Sequence, residues 1–442
     1  MLDANRTIFT PEDIASFIRD GMGLEQSEES LRVYPNPTEQ QAQVIGAKPS
    51  GAYLVVAGAG AGKTETMAAR VVWLVANGYV RPEQVLGLTF TRKAASELAQ
   101  RVRKRLETLA NSPMYAAALG ADDPRHEWFK NVAPTIATYD SYAGTIVREY
   151  GLLVPMEPAG RIIGDAEQWL IAHEVVTNYG GALKTDKGVN TVISNVQALS
   201  NEAQSHLADL DTVDRESQLA IQDLEDLSST KKNDSSFFSD ANKEFIEAQN
   251  VRVQMLGIVR EYRETLRKRD LMTFDQQMSI AAELVTKHPR VGEEQRQRFR
   301  VVMLDEYQDT GQAQRVLLRS LFGEGKDPGL AVTAVGDPMQ SIYMFRGATA
   351  SNLEKFRADF APAEKLELTT SWRNPSLVLN LANVVSRWSM EDRPLVSALN
   401  PREGSEEGTV RVAFHDDKNQ EIQWLAEHVA EHWETWVKSD QE

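Results

Sequence analysis

Residues Tyr53–Thr64 read YLVVAGAGAGKT. An apolar run of strand type passes directly into a loop of alternating glycine and alanine. The loop ends in Gly62-Lys63-Thr64, and a helical pattern, Thr64–Asn77, follows. Small side chains let consecutive backbone N–H groups turn toward one anion, and the start of the next helix adds its dipole. The stretch therefore reads as a phosphate cradle. Ala59, Gly60, Ala61 and Gly62 are expected to offer backbone amides, Lys63 to reach the β/γ-phosphates, and the Thr64 hydroxyl to ligand Mg²⁺. The strict spacing asks for glycine at position 57, where this chain has Ala57; the order strand, loop, helix is intact.

Such a loop needs a carboxylate for the metal and a base for water on a neighbouring strand. Val301-Val302-Met303-Leu304 is a second apolar run, and Asp305-Glu306 stands at its carboxyl end. Asp305 suits Mg²⁺, directly or through water, and Glu306 suits polarising the attacking water. Further short β-rich runs lie at Val85–Thr89, Pro134–Thr138, Ala331–Val335, Leu366–Thr370 and Thr409–Phe414, with helical patterns such as Arg92–Leu109 between most of them. Strands alternating with helices predict an α/β fold with a parallel sheet covered on both faces. Its ligands belong beyond the carboxyl ends of the strands.

At the start, Thr10-Pro11-Glu12-Asp13 predicts a capped helix to about Arg19, and residues 21–37 read as a loop. The stretch 141–270 has few strand signals and long helical ones, notably Phe237–Arg269, and is interrupted by the polar run Ser228–Ser236. It reads as a helical insertion within the α/β domain.

The chain has 442 residues, which predicts more than one domain, and 42% hydrophobic with 25% charged residues, as in a soluble globular protein. Absence of cysteine excludes disulfides, thiolate zinc sites and thiol catalysis. No run of 18 apolar residues and no basic leader with an apolar core occur, so no membrane span and a cytoplasmic location are expected. The net charge of −16 argues against phosphate contacts over the whole surface. The charge is uneven, however. Residues 81–110 hold seven bases against three acids, whereas residues 201–245 hold eleven acids against four bases. A nucleic-acid track is therefore expected to be local.

Asp305–Thr310 reads DEYQDT and resembles helicase motif II of the UvrD/Rep/PcrA family, in superfamily 1A. Other stretches agree in the family's order. Pro37–Ile45 (PTEQQAQVI) resembles the Q motif, Leu88–Leu98 (LTFTRKAASEL) motif Ia, and Thr138–Ser141 (TYDS) motif Ib, with Asp140 where the family usually has His. Met272–Gln276 resembles the acidic stretch just ahead of motif II. Gly336–Ala348 (GDPMQSIYMFRGA) resembles motif III, and Leu368–Pro375 (LTTSWRNP) motif IV, with Ser371-Trp372 in place of the usual Asn-Tyr. The resemblance covers roughly residues 35–380.

The resemblance implies roles. ATP and Mg²⁺ are the expected cofactors. Gln41 would meet the adenine edge and Trp372 would stack on the adenine. Gln340 would contact the γ-phosphate and couple it to DNA, which an amide can do because it both donates and accepts. Arg373 would act as an arginine finger, a role worth about 10³–10⁵ in rate in related phosphoryl transfers. Phe90, Thr91 and Arg92, with Tyr343, Phe345 and Arg346, would line a single-stranded DNA track. Aromatic faces accept any base there, at about 1–3 kcal/mol each. Phe345 stands where the family usually has Trp.

The implied architecture is a first RecA-like domain (1–140 and 271–365), a helical insertion domain (141–270) and the beginning of a second RecA-like domain (366–442). The implied function is an ATP-dependent 3′→5′ helicase or translocase acting on single-stranded DNA, or on DNA with a 3′ single-stranded tail, in repair or recombination. Nothing after residue 380 resembles motifs V and VI, so the chain is expected to be truncated, to bind nucleotide weakly and not to unwind DNA alone. Two rivals stand beside this reading: the motor subunit of a helicase–nuclease, and a P-loop ATPase that switches a protein partner without a DNA motor.

Overall fold

The computed structural model describes residues 8–439 apart from 25–26, 121–122, 132, 155–159, 182, 231–239, 324, 326, 344–350 and 390–396. Among these residues ten strands form: β1 (Gly51–Ala57), β2 (Val85–Thr89), β3 (Thr135–Thr138), β4 (Arg161–Ile162), β5 (Leu271–Met272), β6 (Val301–Leu304), β7 (Ala331–Gly336), β8 (Ala363–Leu368), β9 (Thr370–Ser371) and β10 (Asn400–Pro401). Six of them make one sheet in the order β3-β2-β6-β7-β1-β8. Every pairing in it is parallel, so all six carboxyl ends lie along one edge.

Side chains alternate across a strand, and both faces of this sheet are buried. Leu54, Val56, Leu86, Leu88, Val302, Leu304, Val332 and Ala334 pack on one side. Val55, Ala57, Val85, Val301, Met303, Ala331 and Val335 pack on the other. Near-continuous apolar strands are what a sheet covered on both faces requires. The helices Lys63–Ala76 and Arg92–Ala110 cover the second face, and Tyr139–Tyr150, Phe274–Lys287 and Gln312–Phe322 the first.

The helical segment has its own core, with Ile171, Ile193, Val196, Leu256, Val259 and Tyr262 at its centre. Its main helices are Asp165–Asn178, Val189–Ser205, Leu210–Thr230 and Asp240–Lys268. The parallel pair β4–β5 brings its entry and its exit together.

Several expectations shift. The helix Tyr139–Tyr150 belongs to the sheet's core through Tyr142, Ala143, Ile146 and Val147, so a boundary at 140/141 cuts a packed helix. Strand β8 pairs with β1 from Ala52↔Ala363 to Ala57↔Leu368, so the sheet continues past residue 365. Chain contacts divide instead after Thr369, with a second unit formed by 370–394 and 398–442. Within 21–37 a helix forms at Glu28–Val33, because Ser27 and Ser30 cap it reciprocally. Residues 228–230 continue a helix; the rest of the polar run Ser228–Ser236 lies outside the described residues. The run Thr409–Phe414 is not a strand. Val412 and Phe414 are 93% and 98% exposed, and alternation alone gives a strand nothing to pair with.

Candidate active site and nucleic-acid track

Strand β1 ends at Ala57, and the loop that follows turns on two glycines in the left-handed region, Gly60 (φ +76) and Gly62 (φ +79). Only glycine takes these angles without strain. Gly62 begins the helix Lys63–Ala76, and no side chain caps it. The amides of the first turn thus face the loop with no side-chain acceptor, the arrangement an anion needs. Ala59, Gly60, Ala61, Gly62, Lys63 and Thr64 all lie in this turn.

The adjacent carboxyl end is that of β6. Asp305 is 4% exposed, and its N–H donates to the carbonyl of Leu88 at 2.9 Å. Burial, and then the neighbouring Glu306 charge, push its carboxyl up to about 7, against the pull of Lys63 and of the Glu306 amide. A buried carboxyl whose sequence neighbour Glu306 meets Lys63 of the loop is chemically suited to a divalent cation, which would supply positive charge there. Tyr139 fixes the turn by donating its hydroxyl to the Asp305 carbonyl at 2.9 Å.

Glu306 takes a left-handed backbone (φ +47), uncommon for a residue with a side chain. The turn aims its carboxylate at the loop, where Lys63 Nζ lies 3.1 Å from Oε2. Gln308 Nε2 donates to the same oxygen at 2.8 Å, and Gln308 Oε1 accepts from the Asp337 N–H at 3.1 Å. Asp337 in turn accepts from Gln340 Nε2 at 2.6 Å. A continuous path therefore runs from Lys63 through Glu306, Gln308 and Asp337 to Gln340. Gln308 and Asp337 stood inside quoted motifs but carried no expected role. Gly336 leaves room for the link, since a Cβ there would meet Gln308 Oε1 at 2.6 Å.

Beyond Gln340, Tyr343 stacks on Phe90 with centroids 5.9 Å apart and planes within 8°. Two of the expected track residues thus meet although they come from opposite halves of the sheet. Phe90 also borders two recesses. One, of about 450 Å³, is lined by Asp140, Asp165, Asp275 and Asp309; the other, of about 700 Å³, by Arg92, Ser96, Thr138 and Arg148. Thr91 caps the helix Arg92–Ala110 by accepting from the Ala94 N–H at 3.1 Å, and Arg92 is exposed. Phe345 and Arg346 lie outside the described residues.

Gln41 is engaged in a local cap. Its Oε1 accepts from the Thr38 N–H at 3.0 Å while its own N–H donates to Thr38 Oγ1, a reciprocal cap that occupies the carbonyl end of the amide. Gln40 instead reaches Thr369, donating to its hydroxyl at 2.9 Å and accepting from its N–H at 2.9 Å. The cap was readable in T-x-x-Q; the Gln40 contact, across 329 positions, was not. Trp372 and Arg373 belong to the second unit, where Trp372 is 37% exposed.

Residues 37–361 match the family model described as the UvrD/REP helicase N-terminal domain. The chain belongs to the UvrD/Rep helicase family. Among relatives of this family, it is 29% identical to the ATP-dependent DNA helicase UvrD1 of Mycobacterium leprae over 360 residues, 79% of this chain and 39% of that protein. It is 29% identical to the ATP-dependent DNA helicase PcrA of Staphylococcus aureus over 345 residues, 78% of this chain and 39% of that protein. The chain thus spans about two fifths of the length of these UvrD/Rep relatives. No helix among the described residues is long and apolar enough to cross a membrane.

Proposed function

We propose that this chain forms the ATP-binding part of a DNA helicase or translocase that moves 3′→5′ along single-stranded DNA in repair or recombination. The relatives are ATP-dependent DNA helicases by name. The observation that carries the reading is the hydrogen-bonded path from Lys63 to Gln340, three residues ahead of Tyr343, which stacks on Phe90. Such a path lets the state of a triphosphate bias the geometry at a base-binding surface, the coupling a motor needs.

In this reading the loop amides and Lys63 hold the phosphates, Thr64 and Asp305 hold Mg²⁺, and Glu306 orients the attacking water. The metal supplies charge neutralisation on the phosphates. Gln340 senses the γ-phosphate. Trp372 and Arg373 serve the adenine and the γ-phosphate by the family's pattern, and Gln41 is assigned to adenine on the same ground. Phe90, Thr91, Arg92, Tyr343, Phe345 and Arg346 serve the DNA. The sheet unit acts as the first motor lobe, the helical segment as its insertion, and residues after Thr369 belong to a second lobe.

The test is ATP turnover with and without oligo-dT, beside Glu306→Gln, together with oligo-dT binding at two salt concentrations. Turnover raised by DNA and lost in the variant supports the motor. Nucleotide binding without salt-sensitive oligo-dT binding overturns it and leaves an ATPase switch for a protein partner.

A further inference from the structure

The second unit carries a group of side chains that the nucleotide and DNA reading does not use. The helix Lys418–Ser439 contains the run HVAEH, with His428, Glu431 and His432 at i, i+3 and i+4. Residues at these spacings share one helix face. One ligand atom from each lies within 4.8 Å of the others, the one such group of three among the described residues. The imidazole centroids are 4.4 Å apart, and both rings are half-buried while Glu431 stays in water.

The surroundings fix the rings. His432 Nδ1 lies 2.9 Å from the carbonyl oxygen of His428. A carbonyl only accepts, so Nδ1 holds the proton and the lone pair sits on Nε2, the tautomer a metal takes. Trp424 stacks on His428 with planes within 6° and centroids 5.7 Å apart, which limits its rotation. An opposing group is Arg411, whose guanidinium lies 3.1 Å from His428 Nδ1. Arg411 is exposed and free to swing into solvent. The local charge favours a cation, since residues 416–442 hold eight acids against two bases.

We infer that His428, Glu431 and His432 form a binding site for a borderline divalent cation of the Zn²⁺ class. Two imidazoles and one carboxylate are a donor set that Zn²⁺ accepts, and three protein ligands leave one position to water. With no cysteine in the chain, a Zn²⁺ site has to be built from histidine and carboxylate; two of the seven histidines form this cluster, and a third, His415, packs against Trp424 outside the ligand set. Loading the site displaces Arg411 from His428, so the arginine acts as a built-in competitor.

The experiment is a Zn²⁺ titration of the full chain, stripped with EDTA, against a chromophoric chelator, with Asp305→Asn as the background that removes the expected Mg²⁺ carboxylate. One Zn²⁺ per chain is expected. His432→Ala and His428→Ala should each weaken it roughly tenfold or more, and Glu431→Gln by a smaller factor. Arg411→Ala should tighten it several-fold, which loss of folding does not mimic. Co²⁺ in place of Zn²⁺ should give visible d–d bands that vanish in His432→Gln. Stoichiometry unchanged by the histidine substitutions overturns the site, as does binding indifferent to Arg411.

Discussion

Lys63 and Glu306, 243 positions apart in sequence, face each other at 3.1 Å across the carboxyl edge of the sheet. The cation that should hold phosphate is held by the carboxylate that should orient water, so an incoming triphosphate competes with Glu306 for Lys63. Glu306→Gln removes the competing charge. It should bind a fluorescent ATP analogue at least as tightly as the parent while turnover falls by about 10²–10⁴, the range of a lost general base. Lys63→Ala should lose nucleotide binding instead. A stopped assay and a binding titration on the same samples separate the two.

If Asp305 holds Mg²⁺ as proposed, metal binding should depend on pH near neutrality. Its carboxyl is pushed up to about 7, and the metal needs the ionised form. Affinity for Mg²⁺ should rise as pH climbs from 6 to 8, and Asp305→Asn should flatten the profile. The sign for stability is opposite. The folded metal-free chain holds this proton more tightly than the unfolded chain, so stability from this group falls as pH rises from the ordinary carboxylate range to about 7. Mg²⁺-dependent nucleotide binding at three pH values, with melting curves alongside, checks both.

Gln308 is the joint between the β6 and β7 ends. Gln308→Ala should leave nucleotide affinity within a few-fold yet remove most of the stimulation of turnover by DNA. Gly336→Ala should act similarly, because its new Cβ would press on Gln308 Oε1 and on Leu353 Cδ2, at 2.6 and 2.9 Å. Basal and DNA-stimulated rates measured side by side decide it. A proportional loss of both would remove Gln308 from the coupling path.

How far this was legible in the sequence depends on range. The loop at 53–64 and the acids at 305–306 are local signals, a strand end plus the residues beside it, and they were readable. The resemblance put Phe90 and Tyr343 along one track, but their stack was not readable, because it depends on β2 and β7 flanking β6. The Gln40–Thr369 clasp depends in the same way on β8 closing against β1, which the pattern of residues 366–370 does not reveal. Val410, Val412 and Phe414 mislead in the other direction: their alternation is a strand signal with no partner strand among the described residues.

Phe90→Ala and Tyr343→Ala should each weaken oligo-dT binding by about 1–3 kcal/mol without changing its salt slope, since stacking releases no counterions. Arg92→Ala should reduce the slope. Anisotropy titrations at two or more salt concentrations distinguish the two kinds of contact.

Arg70 is fully buried and donates to the carbonyls of Val44, Ile45, Ala47 and Lys48 and to Thr333 Oγ1. Burial lowers its pKa only to about 10, so it stays charged. Arg70→Met should destabilise the fold by about 3 kcal/mol or more, because several buried acceptors lose their donor together. Urea denaturation measures this, and nucleotide affinity should fall with it as the helix Glu39–Ile45 loosens.

The sheet order also dictates when the phosphate loop comes into being during synthesis. Gly51 pairs with Ala331, and Ala52 with Ala363, so during synthesis β1 waits for both its neighbours while the whole helical segment emerges. Until then its apolar edge is unpaired and open to chaperones or to aggregation. A chain halted inside the helical segment has no anchored loop, and in a growing polypeptide nucleotide capture therefore reports that the last strand of the sheet has arrived.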